Sequence, residues 1–200
     1  MAAQGLVVYA NSFAIFLTGR CYDQIRIQVA YPALNVQLVG SSAGLTQGPD
    51  GASHQSLEDI NLMRGLPNMT VIIPADGPET RQATKAIASH PGPVYMRLGR
   101  YPTPPVCPEG YRFQVGKAVP VRQGSDIVII ATGIMVAKAL EAADLLASQG
   151  LSVGVLNMST IKPLDREAVV AAGQGTRLVV TAEEHSVIGG LGSAVAEVLA

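Results

Sequence analysis

The chain has 200 residues, of which 48% are hydrophobic and only 14% charged, enough for one large domain or two small ones. Its net charge of -1 gives no electrostatic footprint for nucleic acid, and 4% aromatics with no tryptophan offer no platform for stacking bases. So few charges point instead to surface buried against other subunits.

Leu6–Ala10 is a short apolar run that predicts a buried strand. Asn11 and Ser12 can cap a helix, and Phe13–Ala30 reads as one, with Phe13, Phe16, Leu17, Arg20, Gln24 and Ile27 on one face. Pro32 ends it. Val36–Val39 predicts a second strand, and Gly40–Gln55 is a polar, glycine-rich loop carrying Asp50 and His54. Ser56 can cap a helix over Leu57–Leu66, with Glu58 and Asp59 in its first turn. Thr70–Ile73 predicts a strand, Asp76 the cap of a helix over Pro78–Ser89, and Pro93–Leu98 a further strand.

Residues 101–118 hold Pro102, Pro104, Pro105 and Pro108 with Gly110 and Gly116, and predict an extended connector between domains 1–100 and 119–200. Beyond it, strands are expected at Asp126–Ala131, Leu151–Asn157 and Arg177–Thr181. Helices are expected at Met135–Gln149, Asp165–Ala172 and Gly192–Ala200. Alternation of strand and helix in both halves implies an α/β fold class: two three-layer α/β domains with mostly parallel sheets. The abrupt ends at Met1–Gly5 and Ser193–Ala200 suggest a fragment. Cys21 and Cys107 stand far apart outside any CxxC spacing, and His54, His90 and His185 give no metal-ligand spacing. No signal peptide is apparent and the apolar runs are too short to span a membrane, so the expectation is a cytoplasmic protein.

Ligands in such sheets sit at the carboxyl ends of strands. That brings the Gly40 loop, Ala75-Asp76 and Leu98-Gly99-Arg100 to one rim, with Asp50, His54 and Arg100 near one another. Two chemistries are open there. Gly40-Ser41-Ser42-Ala43-Gly44 fits the G-x-S-x-G nucleophile elbow, with Glu183 and His185 following in triad order. An elbow needs a helix directly after its serine, where this chain has Gly48, Pro49 and Gly51. Asp50 and His54 could instead transfer protons or bind sugar hydroxyls or phosphate, or merely satisfy the loop's own backbone. Arg97 and Arg100 suit phosphate, because a guanidinium forms two parallel hydrogen bonds, although arginines at strand ends are often only solvated. Glu183-Glu184-His185…Gly189-Gly190-Leu191-Gly192 fails the dinucleotide fingerprint, and no P-loop occurs. Its acidic pair and histidine could line a domain or subunit contact.

Together these stretches are more specific. Ser12–Arg26 resembles the helix that receives the aminopyrimidine ring of thiamine diphosphate in transketolases. Gly48-Pro-Asp-Gly-Ala-Ser-His-Gln55 is similar to their G-E-D-G-P-[ST]-H-Q loop. Met63-Arg64…Pro67-Asn-Met-Thr-Val-Ile-Ile-Pro-Ala-Asp76 and Val94–Arg100 resemble the family's segments downstream of that loop. Ile130-Ala-Thr-Gly133, Asn157–Asp165 and Thr181-Ala-Glu-Glu-His185 resemble the family's C-terminal domain.

The resemblance runs through the whole chain and is nearest to the C-terminal subunit of split, two-chain transketolases. It implies that Phe13 and Phe16 bind the cofactor's pyrimidine ring, that Asp50 and His54 face the substrate as catalytic and binding groups, and that Arg100 takes the sugar phosphate. It implies transfer of a two-carbon ketol unit between sugar phosphates, with thiamine diphosphate supplying the difficult chemistry. The diphosphate and Mg²⁺ are then held mainly by a partner, the diphosphate-binding N-terminal transketolase subunit. Self-association is expected, and the chain alone is expected to be inactive.

Three departures accompany the resemblance. The family's activating glutamate belongs upstream of Leu6, the family's loop histidine aligns with Ser42, and Pro49 replaces a glutamate. Alternatives within the superfamily are 1-deoxyxylulose-5-phosphate synthase and the β subunit of 2-oxoacid dehydrogenases. A non-catalytic assembly subunit and, last, a Ser42 hydrolase are alternatives from other classes.

Overall fold

The computed structural model describes all residues, Met1–Ala200. Four parallel strands, β1 (Val8–Phe13), β2 (Val36–Ser41), β3 (Thr70–Ile72) and β4 (Val94–Arg97), form the first sheet in the order β1-β2-β4-β3. The second half supplies β5 (Val119–Arg122), β6 (Ile127–Ala131), β7 (Val153–Asn157), β8 (Thr160–Lys162) and β9 (Leu178–Ala182). Four of these make the second sheet, in the order β5-β7-β6-β9. β5 runs antiparallel to β7, and the other pairings in that sheet are parallel. The remaining strand, β8, leaves the second half and pairs antiparallel with β3, adding a fifth strand to the first sheet.

The α/β class holds, but the two halves are more closely joined than the Pro-rich connector suggests. One core cluster of 20 buried residues takes Leu38, Val71 and Tyr95 from the first half and Ile130, Met158, Ile161 and Leu191 from the second. Such shared burial makes their separation costly. The connector is fastened rather than loose. Asp76 Oδ2 accepts from Val106 N–H at 2.7 Å, and Gln82 holds Phe113 N–H at 2.9 Å. Glu79 is fully buried, accepting from Ala75 N–H and Tyr111 Oη–H at 2.7 and 2.6 Å. Burial, then Glu79 and Asp76, pushes the Cys107 thiol up to about 12, so it is inert as a nucleophile at neutral pH.

The sharpest local correction concerns Phe13. Asn11 and Ser12 do not cap a helix; they continue β1, which pairs with β2 from Val8↔Val36 to Phe13↔Ser41. Phe13 therefore ends a strand, and the backbone becomes helical just after it. The expected long helix is interrupted as well. Its middle is α1 (Tyr22–Ile25), with π-helical turns at Phe16–Arg20 and Arg26–Ala30. Gly19 lies in the first of these, and Thr18 Oγ1–H donates back to Ala14 O at 2.8 Å, a bond that loosens regular α-helical geometry.

Ser56 does not cap α2 (Asp59–Arg64). Glu58 occupies that position without a side-chain cap, and Ser56 Oγ is buried without a partner. By contrast α3 (Gly77–Ile87) is capped by Asp76, which accepts from Glu79 N–H at 2.7 Å. The next helix is α4 (Met135–Ala147). α5 (Arg166–Gly175) is capped by Asp165, which accepts from Ala168 N–H at 3.2 Å, and α6 (Leu191–Leu199) ends the chain. No helix is long and apolar enough to cross a membrane.

Candidate active site

The carboxyl ends of β1, β2 and β4 carry the side chains singled out in the sequence. Phe13 and Phe16 stay close although only Phe16 is helical, with ring centroids 5.8 Å apart in an edge-to-face arrangement. The loop after β2 returns across them. His54 meets Phe13 edge-on at 5.1 Å and Phe16 at 4.9 Å, and the Arg20 guanidinium lies 4.1 Å from the Phe16 centroid. The His54 Nδ1 faces Ser53 Oγ at 2.9 Å, which leaves Nε2 for a ligand.

The loop is more ordered than its glycines suggest. It contains two 3₁₀ turns, Leu45–Gln47 and Gly51–Ser53. Gly48 at φ +65° closes the first and Gly51 at φ +69° opens the second, conformations that a side chain would oppose. Asp50 sits at the start of the second turn. Its carboxylate accepts from Arg100 Nη1 at 2.8 Å and from buried Gln47 Nε2. Asp50 pairs with Arg100, and His54 closes the turn that Asp50 opens, so these three lie together. His54 joins them to Phe13 and Phe16, which the strand-end argument does not include, whereas Asp76 is taken up by the α3 cap and the connector. The Asp50–Arg100 pair is exposed enough, at 38% and 43%, that an incoming anion could separate it at small cost.

Arg97 is not a rim residue. It is 5% exposed, and its Nε donates to Asp59 Oδ2 at 2.8 Å. Its Nη2 donates to Ser56 O at 3.3 Å and Glu184 O at 2.8 Å. Tyr95 Oη–H donates to the same Asp59 oxygen at 2.6 Å. Burial first, then the Asp59 charge, raises the Tyr95 phenol well above its ordinary value, so it remains a donor. Gly40 is the residue that makes room for this Tyr95, since a Cβ there would lie 2.7 Å from the ring's Cε2. This network under the loop, built by residues 36 to 87 positions apart, had no signal in local spacing.

The elbow reading finds no support. Ser42 has φ +56°, but a 3₁₀ turn follows instead of a helix. Glu183 is engaged in capping α6 through Leu191 and Gly192 N–H at 2.7 and 2.8 Å. His185 Nδ1–H donates to Ser186 O at 2.7 Å, and His185 Nε2 accepts from Asn61 N–H at 3.4 Å.

Comparison with known proteins agrees with this geometry. Residues 1–105 match the transketolase pyrimidine-binding domain and residues 116–200 the transketolase C-terminal domain. The chain is 49% identical to the 6-deoxy-6-sulfo-D-fructose transketolase subunit SqwH of Clostridium sp. (strain MSTE9), covering 100% of this chain and 62% of that protein. It is 39% identical to an apulose-4-phosphate transketolase subunit of Phocaeicola vulgatus, covering 100% of this chain and 64% of that one. A solved structure described as a split gene transketolase, inactive beta4 tetramer, superposes with a TM-score of 0.92 at 49% identity, over 99% of this chain and 64% of its own. The chain therefore spans a little over three-fifths of the length of these relatives. With both halves matched in order across a fold of the same topology, the chain belongs to the transketolase family.

Proposed function

We propose that the chain supplies the pyrimidine-binding and C-terminal parts of a two-chain transketolase that moves a two-carbon ketol unit between sugars bearing a terminal anion. The observation that carries this reading is the meeting of Phe13, Phe16 and His54 beside the Asp50–Arg100 pair at one sheet rim.

The residues fit a thiamine cofactor at its ring end. Two half-buried phenylalanines give a flat heteroaromatic ring an apolar wall, and the open rim beyond them is polar. When bound, thiamine diphosphate supplies the carbanion chemistry of ketol transfer. By the family resemblance, Mg²⁺ and the diphosphate would take their ligands mainly from the diphosphate-binding partner. The chain's own side chains then bind and orient the sugar. Asp50 accepts from a hydroxyl, His54 Nε2 exchanges a proton with the substrate or holds it, and Arg100 grips the terminal anion.

The named sugars of the relatives carry a sulfonate in one case and a phosphate in the other, and a guanidinium suits both. Rates with phosphorylated and sulfonated ketoses would distinguish them. The inactive tetramer named for the structural neighbour supports self-association and inactivity without a partner. The two unpaired cysteines agree with a reducing, cytoplasmic setting.

Phe16→Ala tests the ring-binding assignment. In the two-chain assembly it should weaken thiamine diphosphate about 10- to 100-fold, equivalent to losing ~1.5–3 kcal/mol of apolar contact. Calorimetric titration with the cofactor would measure this, and an unchanged affinity would remove Phe16 from the site.

A further inference from the structure

Glu184 lies in the C-terminal half, 138 positions from the loop residue it touches. It is 9% exposed. Its carboxylate accepts from Thr46 N–H, and Thr46 Oγ1–H donates to Oε2 at 3.0 Å. The site is built for this approach. Gly44 has φ +88°, and a Cβ there would run into the Glu184 carboxylate. The Glu184 carbonyl is itself fixed by Arg97 Nη2 at 2.8 Å. Ser186 N–H donates to Leu57 O at 2.9 Å, and Gly44 N–H donates to Ser56 O at 3.0 Å. The segment after β9 is thus held along both ends of the loop.

From Thr46 the contact passes directly into the rim. Thr46 is the middle residue of the first 3₁₀ turn, and its neighbour Gln47 is fully buried. Gln47 Oε1 accepts from Asp50 N–H at 3.3 Å while Gln47 Nε2 donates to the Asp50 carboxylate. Asp50 in turn meets Arg100 at 2.8 Å. A carboxylate from the C-terminal half therefore holds the residue next to the glutamine whose side chain brackets Asp50.

We propose that Glu184 is a positioning residue for the substrate-facing loop, acting through Thr46 and Gln47 on Asp50. Its effect on substrate binding rests on the ketol-transfer reading, whereas its effect on loop order does not. A group acting this way governs how well the loop meets the sugar, while the cofactor's ring site on Phe13 and Phe16 is left in place.

The test uses Glu184→Ala, Glu184→Gln and Thr46→Val in the two-chain assembly, with Glu197→Ala on the exposed side of α6 as control. Hydrogen exchange over residues 44–56 reads loop order, and steady-state kinetics read the sugar. Glu184→Ala should speed exchange there about tenfold and raise the KM for the ketose about tenfold, with kcat changed much less. Glu184→Gln should restore both, since its Oε1 can accept from Thr46 N–H and its amide can donate to Thr46 Oγ1. Thr46→Val, which leaves Glu184 in place, should raise KM severalfold, and Glu197→Ala should match wild type. Wild-type exchange in Glu184→Ala, an unchanged KM, or a glutamine variant as impaired as the alanine would each overturn the proposal. A wild-type assembly without ketol transfer would instead remove the functional reading, and the exchange measurement would still decide the loop's dependence on Glu184.

Discussion

Asp59→Ala should lower the stability of the chain by about 3–5 kcal/mol, because it strands a buried guanidinium. Arg97 is 5% exposed and Asp59 fully buried, and the pair closes at 2.8 Å. Burial lowers the Arg97 pKa and the Asp59 charge opposes that, and because a guanidinium starts far above neutral pH the residue keeps its charge when its partner is lost. Tyr95 Oη–H loses its acceptor in the same step. For a chain of this size the loss corresponds to a fall in Tm of roughly 6–20 °C. Replacing both Asp59 and Arg97 by apolar residues of similar volume removes the stranded charge but leaves Tyr95 Oη–H and the Ser56 and Glu184 carbonyls without these partners, so it should recover only part of the loss. Thermal unfolding of the wild type and both variants would measure this, and a change of less than about 2 °C for Asp59→Ala would refute it. Because Arg97 also grips the carbonyls of Ser56 and Glu184, the single variant should loosen the loop above it.

His54→Ala should reduce kcat/KM for ketol transfer by about 10²–10⁴-fold, the usual worth of a positioned acid–base group. Its ring lies edge-on to both Phe13 and Phe16, and its Nδ1 is engaged by Ser53 Oγ. Arg100→Ala should act differently. It should raise the KM for sugars with a terminal anion by about 10- to 100-fold, the loss of a charge-assisted hydrogen bond, and leave uncharged sugars unaffected. Steady-state rates with charged and uncharged substrates separate the two. A similar loss with both classes in Arg100→Ala would assign Arg100 a structural role. Full activity in His54→Ala would take His54 out of the reaction.

The sequence made some parts of this architecture legible because their causes are local. Asp76 before Gly77-Pro78 is a helix start whatever surrounds it, and the side chain does cap α3. The β-branched runs of β6 and β7 read as strands because both faces are covered. Other parts depend on distant partners. β5 contains Pro120 and β8 has only three residues, and each exists because a neighbouring strand offers it a pairing edge. Phe13 satisfies a helical pattern with Phe16, yet its backbone pairs with Ser41 and stays extended, so tertiary pairing overrides periodicity.

At the site the balance is similar. Asp50, His54 and Arg100 were legible as a rim because strand ends converge in parallel sheets. The contact of Glu184 with the first half fits the expectation that its acidic pair lines a domain contact, but its partner Thr46 and the burial of Arg97 on Asp59 were not legible, since these partners lie 138 and 38 positions away. Resemblance to the family added what spacing lacked, a reason for two aromatics to stand beside that rim.

On the proposed function, this chain supplies one part of a composite active site. This is tested most directly by mixing the protein with the diphosphate-binding subunit, thiamine diphosphate and Mg²⁺ and following ketol transfer from a phosphorylated or sulfonated ketose to an aldose. Transfer should appear on mixing and be absent from either protein alone with the same cofactors. Transfer by this protein alone, or none from the mixture, would rule out a site shared between the two chains.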